Sequence, residues 1–322
     1  MEEAFTMKKG VISLGEALID FIPLDADNLT YQKSPGGAPA NVAVGVARLQ
    51  TPSTFLGKVG NDVLGRFLKE TLQSYGVNTA HMTMTDEVRT GAVFVTLGRG
   101  GERSFDFYID PSADRFLQEE DIADGLFEEN NILHFGSISM ISEPSKSATE
   151  KAVRLARENG LVVSYDPNLR LSLWESEQQA KETILSIMSL VDVLKISEEE
   201  LEFLTGEEEI KSGVALLKEQ YDIPLIFITL GAEGSFTFTK DGSVRVPAMK
   251  VNAVDTTGAG DAFVSGILHC LANREGNVSE ITLEGAKQMA EFASVSGGLA
   301  ASEKGAMTAL PTLEKVEELT KK

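Results

Sequence analysis

The sequence predicts an α/β protein in which helices cover both faces of a central, mostly parallel sheet, with a smaller β layer at one edge. The first observation is that short β-branched runs alternate with longer amphipathic segments, which is typical of βαβ units. The short runs are "GVISLG", "NILHFGSI", "LVVSYD", "VDVLKIS" and "PLIFITLG". The amphipathic segments include residues 145–159 and 208–220. This alternation predicts a doubly wound sheet.

The second observation is that residues 91–108, "GAVFVTLGRGGERSFDFY", follow a different pattern. Two alternating stretches flank a Gly-Arg-Gly-Gly turn, which indicates an antiparallel hairpin. "LIDFIP" and "LTYQKSP" near the N-terminus can join this hairpin in a small sheet. We therefore expect a lid formed by residues of about 16–35 and 91–110, with an apolar face that is a candidate surface for a homodimer.

The composition limits the classes of partner. The chain has 322 residues, enough for one large or two ordinary domains. Its net charge of -20 argues against nucleic-acid binding, because that requires clustered Lys and Arg. The expected partner is a small molecule, and an anionic one would need a helix N-terminus or a metal ion to hold it.

The location is expected to be cytoplasmic. The single cysteine, Cys270, has no partner for an internal disulfide, and residues 1–10 lack the apolar core of a signal peptide. The longest apolar runs have the length of strands, so no contact with a membrane is expected.

Polar residues follow several of the predicted strands. Ligands bind outside the carboxyl ends of the strands in open α/β sheets, so these residues are expected to share one crevice. They are Glu16, Asp20, Asp166, Asn168, Ser197, Glu200, Thr229 and Gly231.

The stretch "AVDTTGAGDAFVSGIL", residues 253–268, combines glycines with an acid at the start of an apolar run. A helix that begins near Gly258 presents free N–H groups and a partial positive charge. Because Gly258 and Gly260 lack a Cβ atom, a phosphate can approach the backbone closely. Asp261, in the first turn, can accept a proton from a substrate hydroxyl. The alternative is that Asp261 only complements the helix dipole and Gly258 ends a loop.

Two motifs carry a resemblance to a known family. "VDTTGAGDAFVSG" resembles the C-terminal motif of the PfkB, or ribokinase-like, carbohydrate kinases, and "GGAPANVAVGVARL", residues 36–49, resembles their N-terminal motif. The resemblance extends over essentially the whole chain. It implies a single ribokinase-like domain over residues 1–322, with a β-sheet lid. It also implies ATP-dependent phosphorylation of a sugar hydroxyl with Mg²⁺.

The resemblance implies roles for individual residues. Asp261 matches the catalytic base, and Gly258, Ala259 and Gly260 match the anion hole. The sugar-binding positions are Asp20, Gly36, Gly37 and Asn41. Their carboxylate and amide groups can pair with several hydroxyls at once. Without the resemblance, Asn41 is read as a helix cap and the two glycines as a turn after Pro35.

The nucleotide positions implied by the resemblance lie in "TLGAEGS", residues 229–235, and in "VDVLKIS". They are Thr229, Gly231, Gly234 and Lys195. The alternative for the first stretch, followed by "SFTFTK", is an ordinary hairpin.

Ion sites are implied at two places. The family often has Asn-x-x-Glu where this chain has "SEEE", so Glu200 takes the glutamate position and is expected to order waters around Mg²⁺. The role of Ser197 at the asparagine position stays open. Asp255 and Thr257 resemble main-chain ligands of a monovalent cation such as K⁺.

Three segments, "GGAPANVA", "FYIDPSADRFL" and "DPNLRLSLW", resemble the fructokinase branch. That implies transfer to the C6 hydroxyl of fructose. Only Lys33, Arg103 and Arg170 are basic near the substrate segments, which favours a neutral sugar. Arg170 is a candidate to bind the substrate or steady the phosphoryl charge, or it holds Asp166. Phe107 is a candidate for sugar contact, with packing as its alternative.

Other functions stay open. Within the family, 2-keto-3-deoxygluconate kinase and aminoimidazole riboside kinase are alternatives. A non-catalytic protein that senses sugar or nucleotide is an alternative of a different class. An NAD-dependent dehydrogenase would need a G-x-G-x-x-G turn after the first strand, where the sequence is "SLGEALID".

Overall fold

The computed structural model of the protein describes residues 10–98 and 103–320. The strands, numbered along the chain, are β1 Gly10–Leu14, β2 Leu18–Pro23, β3 Tyr31–Gly36, β4 Ser53–Gly60, β5 Met82–Thr85, β6 Gly91–Leu97, β7 Arg103–Phe107, β8 Asn130–Phe135, β9 Val162–Tyr165, β10 Val193–Ser197, β11 Leu225–Thr229, β12 Ser235–Thr239 and β13 Gly242–Val246. The helices are α1 Ala38–Arg48, α2 Val63–Ser74, α3 Leu126–Glu129, α4 Ser145–Glu158, α5 Glu177–Ser186, α6 Glu198–Thr205, α7 Ile210–Tyr221, α8 Ala259–Ala272, α9 Leu283–Ala301 and α10 Leu313–Thr320.

The main sheet has nine strands in the order β13-β12-β11-β10-β9-β8-β1-β4-β5. The seven strands from β11 to β5 in this order pair in parallel, and β12 and β13 form an antiparallel edge. The first strand, β1, lies in the interior of the sheet, and later strands lie on both sides of it. The strand order therefore reverses beside β1, and ligands bind at such reversals.

Side chains alternate between two apolar layers along each central strand. In β11, Leu225 and Phe227 pack with α8 and α9, whereas Ile226 and Ile228 pack on the opposite face with α4 to α7. A third cluster joins α1 and α2 to buried residues of α8 and α9. Both faces are covered, so the predicted α/β fold class is confirmed. Within the described residues, no helix combines the length and apolarity needed to cross a bilayer.

The second sheet has four strands in the order β3-β2-β6-β7. Residues 91–97 and 103–107 form the predicted antiparallel hairpin, and β2 joins it by pairing in parallel with β6. The hairpin turn predicted at residues 98–101 lies, apart from Gly98, outside the described residues. One face carries a cross-strand row of Asp20, Val93 and Phe107, while Phe21 and Phe94 stack at 4.8 Å on the other.

Candidate active site

Two cavities lie at the edge of the main sheet where the parallel strands end. The larger has a volume of about 690 Å³ and reaches the ends of β10 and β11. The smaller has a volume of about 470 Å³ and lies between the ends of β1 and β9 and the second sheet. Thr256 and Gly260 line both cavities. The N-terminus of α8 is therefore their common wall.

The backbone of this wall depends on glycine. Gly258 is the N-cap of α8 and has φ 79°, in the left-handed region. A Cβ atom on Gly258 would lie 3.1 Å from the Cα of Ala306. A Cβ atom on Gly260 would have the Nζ of Lys195 as its neighbour, at 3.7 Å. The predicted anion hole of Gly258, Ala259 and Gly260 thus forms the first turn of a 14-residue helix, where N–H groups lack intrahelical partners.

Asp261 lies in the same turn and faces the smaller cavity. Its Oδ2 accepts a 2.8 Å hydrogen bond from the Nδ2 of Asn41. Burial raises the pKa of Asp261 to about 6, and this hydrogen bond opposes the increase. The side chain of Asp261 is therefore mostly ionised at neutral pH, and its pKa is close to the value that suits a general base.

Asn41 does not have the capping role that its sequence alone suggested. α1 begins at Ala38 after Gly37, and the backbone N–H of Asn41 donates to the carbonyl of Gly37 inside the helix. Its side chain is free to point across to α8. The oxygen Oδ1 of Asn41 is buried and has no partner in the described part of the chain.

The sugar-binding residues predicted from the sequence converge on the smaller cavity. Those that line it are Asp20, Gly37, Asn41, Phe107 and Arg170. Gly36 lies behind them, where a Cβ atom would be 2.2 Å from the Oδ2 of Asp20. Gly36 thus leaves space for that carboxylate. Burial raises the pKa of Asp20 to about 6, and the charge of Arg170 opposes this shift.

Lys195, predicted as a nucleotide-binding residue, lies beside the wall that the two cavities share. Its side chain lines the smaller cavity, whereas the other predicted nucleotide residues line the larger one. The Nζ atom forms a 2.9 Å ion pair with the Oδ2 of Asp166, because β10 lies beside β9 in the sheet. Asp166 is therefore held by Lys195. The Nη1 of Arg170 donates instead to the carbonyl of Leu169.

The larger cavity is lined by the predicted nucleotide residues Thr229, Gly231 and Gly234. Both glycines have positive φ, at 55° and 105°, and they turn the chain from β11 into β12. The hairpin suggested by the sequence alone is therefore present and is also a cavity wall. A Cβ atom on Gly234 would lie 2.0 Å from the carbonyl oxygen of Val246.

The "SEEE" segment forms a helix cap. Ser197 is the N-cap of α6 and accepts from the N–H of Glu200, whose Oε2 accepts in return from the N–H of Ser197 at 2.9 Å. The Oε1 of Glu200 accepts from the N–H of Leu169 at 2.7 Å. Glu198 and Glu199 line the larger cavity, whereas Glu200 lines neither cavity. Ser197 thus has a structural role.

Asp255 ties the loop before α8 to a second loop. Its Oδ1 accepts from the N–H and hydroxyl of Thr257, and its Oδ2 accepts from the N–H of Gly305 at 3.2 Å. The carboxylate is therefore used to hold the two loops together.

Glu16, which the sequence placed in the shared crevice, lines the smaller cavity. Two parts of the site were not assigned from the sequence: the pairing of Lys195 with Asp166, and small residues of α9 in the larger cavity, namely Ser294, Gly297 and Gly298. The small residues have a sequence signal, which is their helical spacing in "SVSGGLAA". The pairing depends on strand order, which the sequence does not state.

A helix N-terminus placed between a large cavity and one lined by carboxylate and amide side chains is an arrangement that suits phosphoryl transfer to an alcohol. The chain belongs to the pfkB family of carbohydrate kinases, whose family model matches residues 8–313.

Relatives of the chain include several fructokinases. It is 47% identical to probable fructokinase-6, chloroplastic, of Arabidopsis thaliana, over 96% of this chain and 81% of the relative. A fructokinase double mutant from Vibrio cholerae O395, in a fructose, ADP and potassium ion bound form, is 41% identical, with a TM-score of 0.89 and coverage of 97% and 98% of the two chains. Aminoimidazole riboside kinase from Salmonella enterica, complexed with aminoimidazole riboside and an ATP analog, is 30% identical, with a TM-score of 0.83 and coverage of 97% and 100%.

Proposed function

We propose that this protein is a fructokinase that transfers the γ-phosphoryl group of ATP to the C6 hydroxyl of fructose. The observation that carries the proposal is the common wall of the two cavities, with Gly260 facing both and Asp261 facing the smaller. A sugar in the smaller cavity and a nucleotide in the larger would meet at this helix N-terminus. The relatives named above support fructose as the sugar.

Asp261 is the proposed base. In its ionised form it accepts the proton of the C6 hydroxyl, and the oxygen forms a bond to the γ-phosphorus while the bond to ADP breaks. The N–H groups of Gly258, Ala259 and Gly260 stabilise the charge on the transferred group. Asp261 is left protonated and releases this proton to solvent after product leaves. Lys195, close to Gly260, adds positive charge near the transferred group.

The sugar is held by groups of two kinds. Asp20 and Asn41 provide a carboxylate and an amide for the hydroxyls, and Gly36 and Gly37 provide close approach to the backbone. Phe107 covers the sugar from the lid, and Arg170 lies at the exposed side of the cavity. The smaller cavity contains one Lys and one Arg among its lining residues, which supports a neutral sugar.

ATP is proposed to bind in the larger cavity against Thr229, Gly231 and Gly234. Mg²⁺, when bound with ATP, would neutralise phosphate charge, and Glu200, which follows two residues that line the larger cavity, would contact its waters. A monovalent cation, K⁺, is proposed near the main chain of Asp255 and Thr257. The potassium ion bound form of the Vibrio cholerae relative supports K⁺ as the ion.

A homodimer through the lid sheet is also proposed. Leu24 and Leu29, at the end of this sheet, are 57% and 80% exposed, and a second copy of the chain would cover them. Sedimentation of the unaltered protein beside a Leu24→Ser/Leu29→Ser variant tests this. A monomer in both samples would contradict it. The cytoplasmic location stays a prediction.

A coupled assay of ATP-dependent ADP release tests which sugar is the preferred substrate. The panel contains fructose, ribose, adenosine, fructose 6-phosphate, 2-keto-3-deoxygluconate and aminoimidazole riboside. We expect fructose to give the largest kcat/KM. If aminoimidazole riboside or 2-keto-3-deoxygluconate gave the largest value, the protein would be a different kinase of the same family. Absence of turnover with tight sugar or ATP binding would favour the sensing protein.

A further inference from the structure

Glu16 has an unusual position among the carboxyl groups of the smaller cavity. It lies in the short connection between β1 of the main sheet and β2 of the second sheet, and it is only 4% exposed. Its side chain reaches the start of α1, where Oε1 accepts a 3.1 Å hydrogen bond from the N–H of Ala38. Its other oxygen, Oε2, is buried without a partner in the part of the chain that is described. Glu16 therefore joins the root of the lid to α1.

α1 depends on this contact because its own N-cap supplies none. Gly37 precedes the helix and has no side chain to accept a hydrogen bond. Gly37 also packs directly on Glu16, since a Cβ atom there would lie 2.5 Å from the Glu16 carbonyl oxygen. The backbone and the side chain of Glu16 thus clamp the first residues of α1. One turn later, the same helix presents Asn41 to Asp261.

We propose that Glu16 is a positioning residue for phosphoryl transfer, which sets the first turn of α1 and through it the contact of Asn41 with Asp261. The inference rests on the proposed function. Glu16 acts in its protonated form, because the site around it is already anionic. The negative charges that act on it belong to Asp114, in the 3-10 helix Ala113–Phe116, and to Asp261 in α8.

Burial raises the pKa of Glu16 to about 8, and the charges of Asp114 and Asp261 add to the shift. The same cavity is lined by Asp20 and by two cations, Arg170 and Lys195. Above pH 8 the ionised Glu16 adds a negative charge to a site that must hold the Asp261 carboxylate and a phosphoryl group. Activity of the unaltered protein is therefore expected to fall at alkaline pH.

Three variants test the proposal: Glu16→Ala, Glu16→Gln and, as a control, Ser176→Ala. Ser176 caps α5 by accepting from the N–H of Gln179, and it lines neither cavity. Loss of this cap lowers Tm without changing turnover. Glu16→Ala is expected to raise the fructose KM and lower kcat, each by about 10- to 100-fold, because misplaced reacting groups lose this much rate. Glu16→Gln is expected to keep activity at pH 7 and to lack the alkaline fall near pH 8.

The proposal is overturned if folded Glu16→Ala keeps the unaltered kcat and KM, or if Glu16→Gln shows the same alkaline fall as the unaltered protein. Fructose binding by calorimetry gives a second readout, in which Glu16→Ala should bind at least tenfold more weakly. The substrate panel on the unaltered protein tests the proposed function separately. If another sugar is preferred, the same variants are measured with that sugar.

Discussion

The side-chain amide of Asn41 donates a 2.8 Å hydrogen bond to the Oδ2 of Asp261, joining the first turns of α1 and α8. The two residues belong to the two motifs that define the resemblance to the family. The hydrogen bond favours the ionised form of Asp261, which is the form able to accept a proton. We therefore expect Asn41 to lower the pKa of Asp261 as well as to bind the sugar.

Removing that donor should shift the pH dependence of turnover. In Asn41→Ala the pKa of Asp261 rises above its value of about 6, so the acid limb of kcat moves to higher pH. A shift of about one pH unit is expected, because a hydrogen bond to a charged group contributes roughly 1.5–3 kcal/mol. The measurement is kcat from pH 5 to 8. Asn159→Ala, which removes a surface hydrogen bond to Leu155, is the control and should leave the limb in place.

Asp261→Asn tests the base directly. This variant keeps the size of the side chain but cannot accept the proton, so kcat should fall by about 10²- to 10⁴-fold. Binding of fructose and ATP should be retained, as calorimetry would show. Near-normal kcat would remove Asp261 from the mechanism.

The same variant separates catalysis from a dipole cap through its melting temperature. The pKa of Asp261 is raised from 3.8 in the unfolded chain to about 6 in the folded protein, so its ionised form lowers the free energy of unfolding as the pH rises above 3.8. Replacing it by the neutral Asn should therefore not lower Tm at pH 7. A residue that only complemented the dipole would instead lose about 0.3–1 kcal/mol on replacement, with turnover intact. Scanning calorimetry at pH 7 measures the difference.

Gly258 and Gly76 form a matched pair for testing the anion hole. Their φ angles are 79° and 85°, but a Cβ atom on Gly76 meets no atom within 4 Å, whereas one on Gly258 meets Ala306. Replacing either by Ala should lower stability by about 1–2 kcal/mol through backbone strain. Only Gly258→Ala should also lower kcat, by about 10²-fold, because the N–H groups move. Equal kcat in the two variants would contradict the anion hole.

The role of the lid is tested on one strand. Phe107 lines the smaller cavity, whereas its neighbour Asp106 points to the opposite face of the sheet. Phe107→Ala should raise the fructose KM by about tenfold, as expected for loss of one buried aromatic contact. It should also increase ATP hydrolysis relative to sugar phosphorylation, because water enters the site. Asp106→Ala should change neither quantity, and a matching rise in KM would contradict the assignment.

Much of the fold followed from local pattern. The parallel strands are continuous apolar runs because both of their faces are buried, and such runs are easily found in a sequence. The hairpin of β6 and β7 alternates because each of its faces has a different environment. The anion hole could be predicted because its glycines and Asp261 lie close together in the sequence, at the start of one helix.

Contacts between distant segments were the part that local pattern did not contain. Without the family resemblance, Asn41 was interpreted as a cap because an amide near a helix start usually accepts from the backbone, and its hydrogen bond to Asp261 depends on the approach of α8. Lys195 meets Asp166 because β9 and β10 are neighbours in the sheet. Glu16 reaches Ala38 across 22 positions. To predict any of these contacts, one must know the strand order or how distant segments pack together.

The wall formed by Thr256 and Gly260 has a consequence for inhibitor design. Because both residues line both cavities, the two cavities adjoin at the N-terminus of α8. A bisubstrate compound, with adenosine and fructose linked through a chain of phosphates, would occupy the two cavities together. Once one half is bound, the tether keeps the other at a high effective concentration beside its own cavity. Such a compound should therefore bind more tightly than ATP or fructose alone and compete with both.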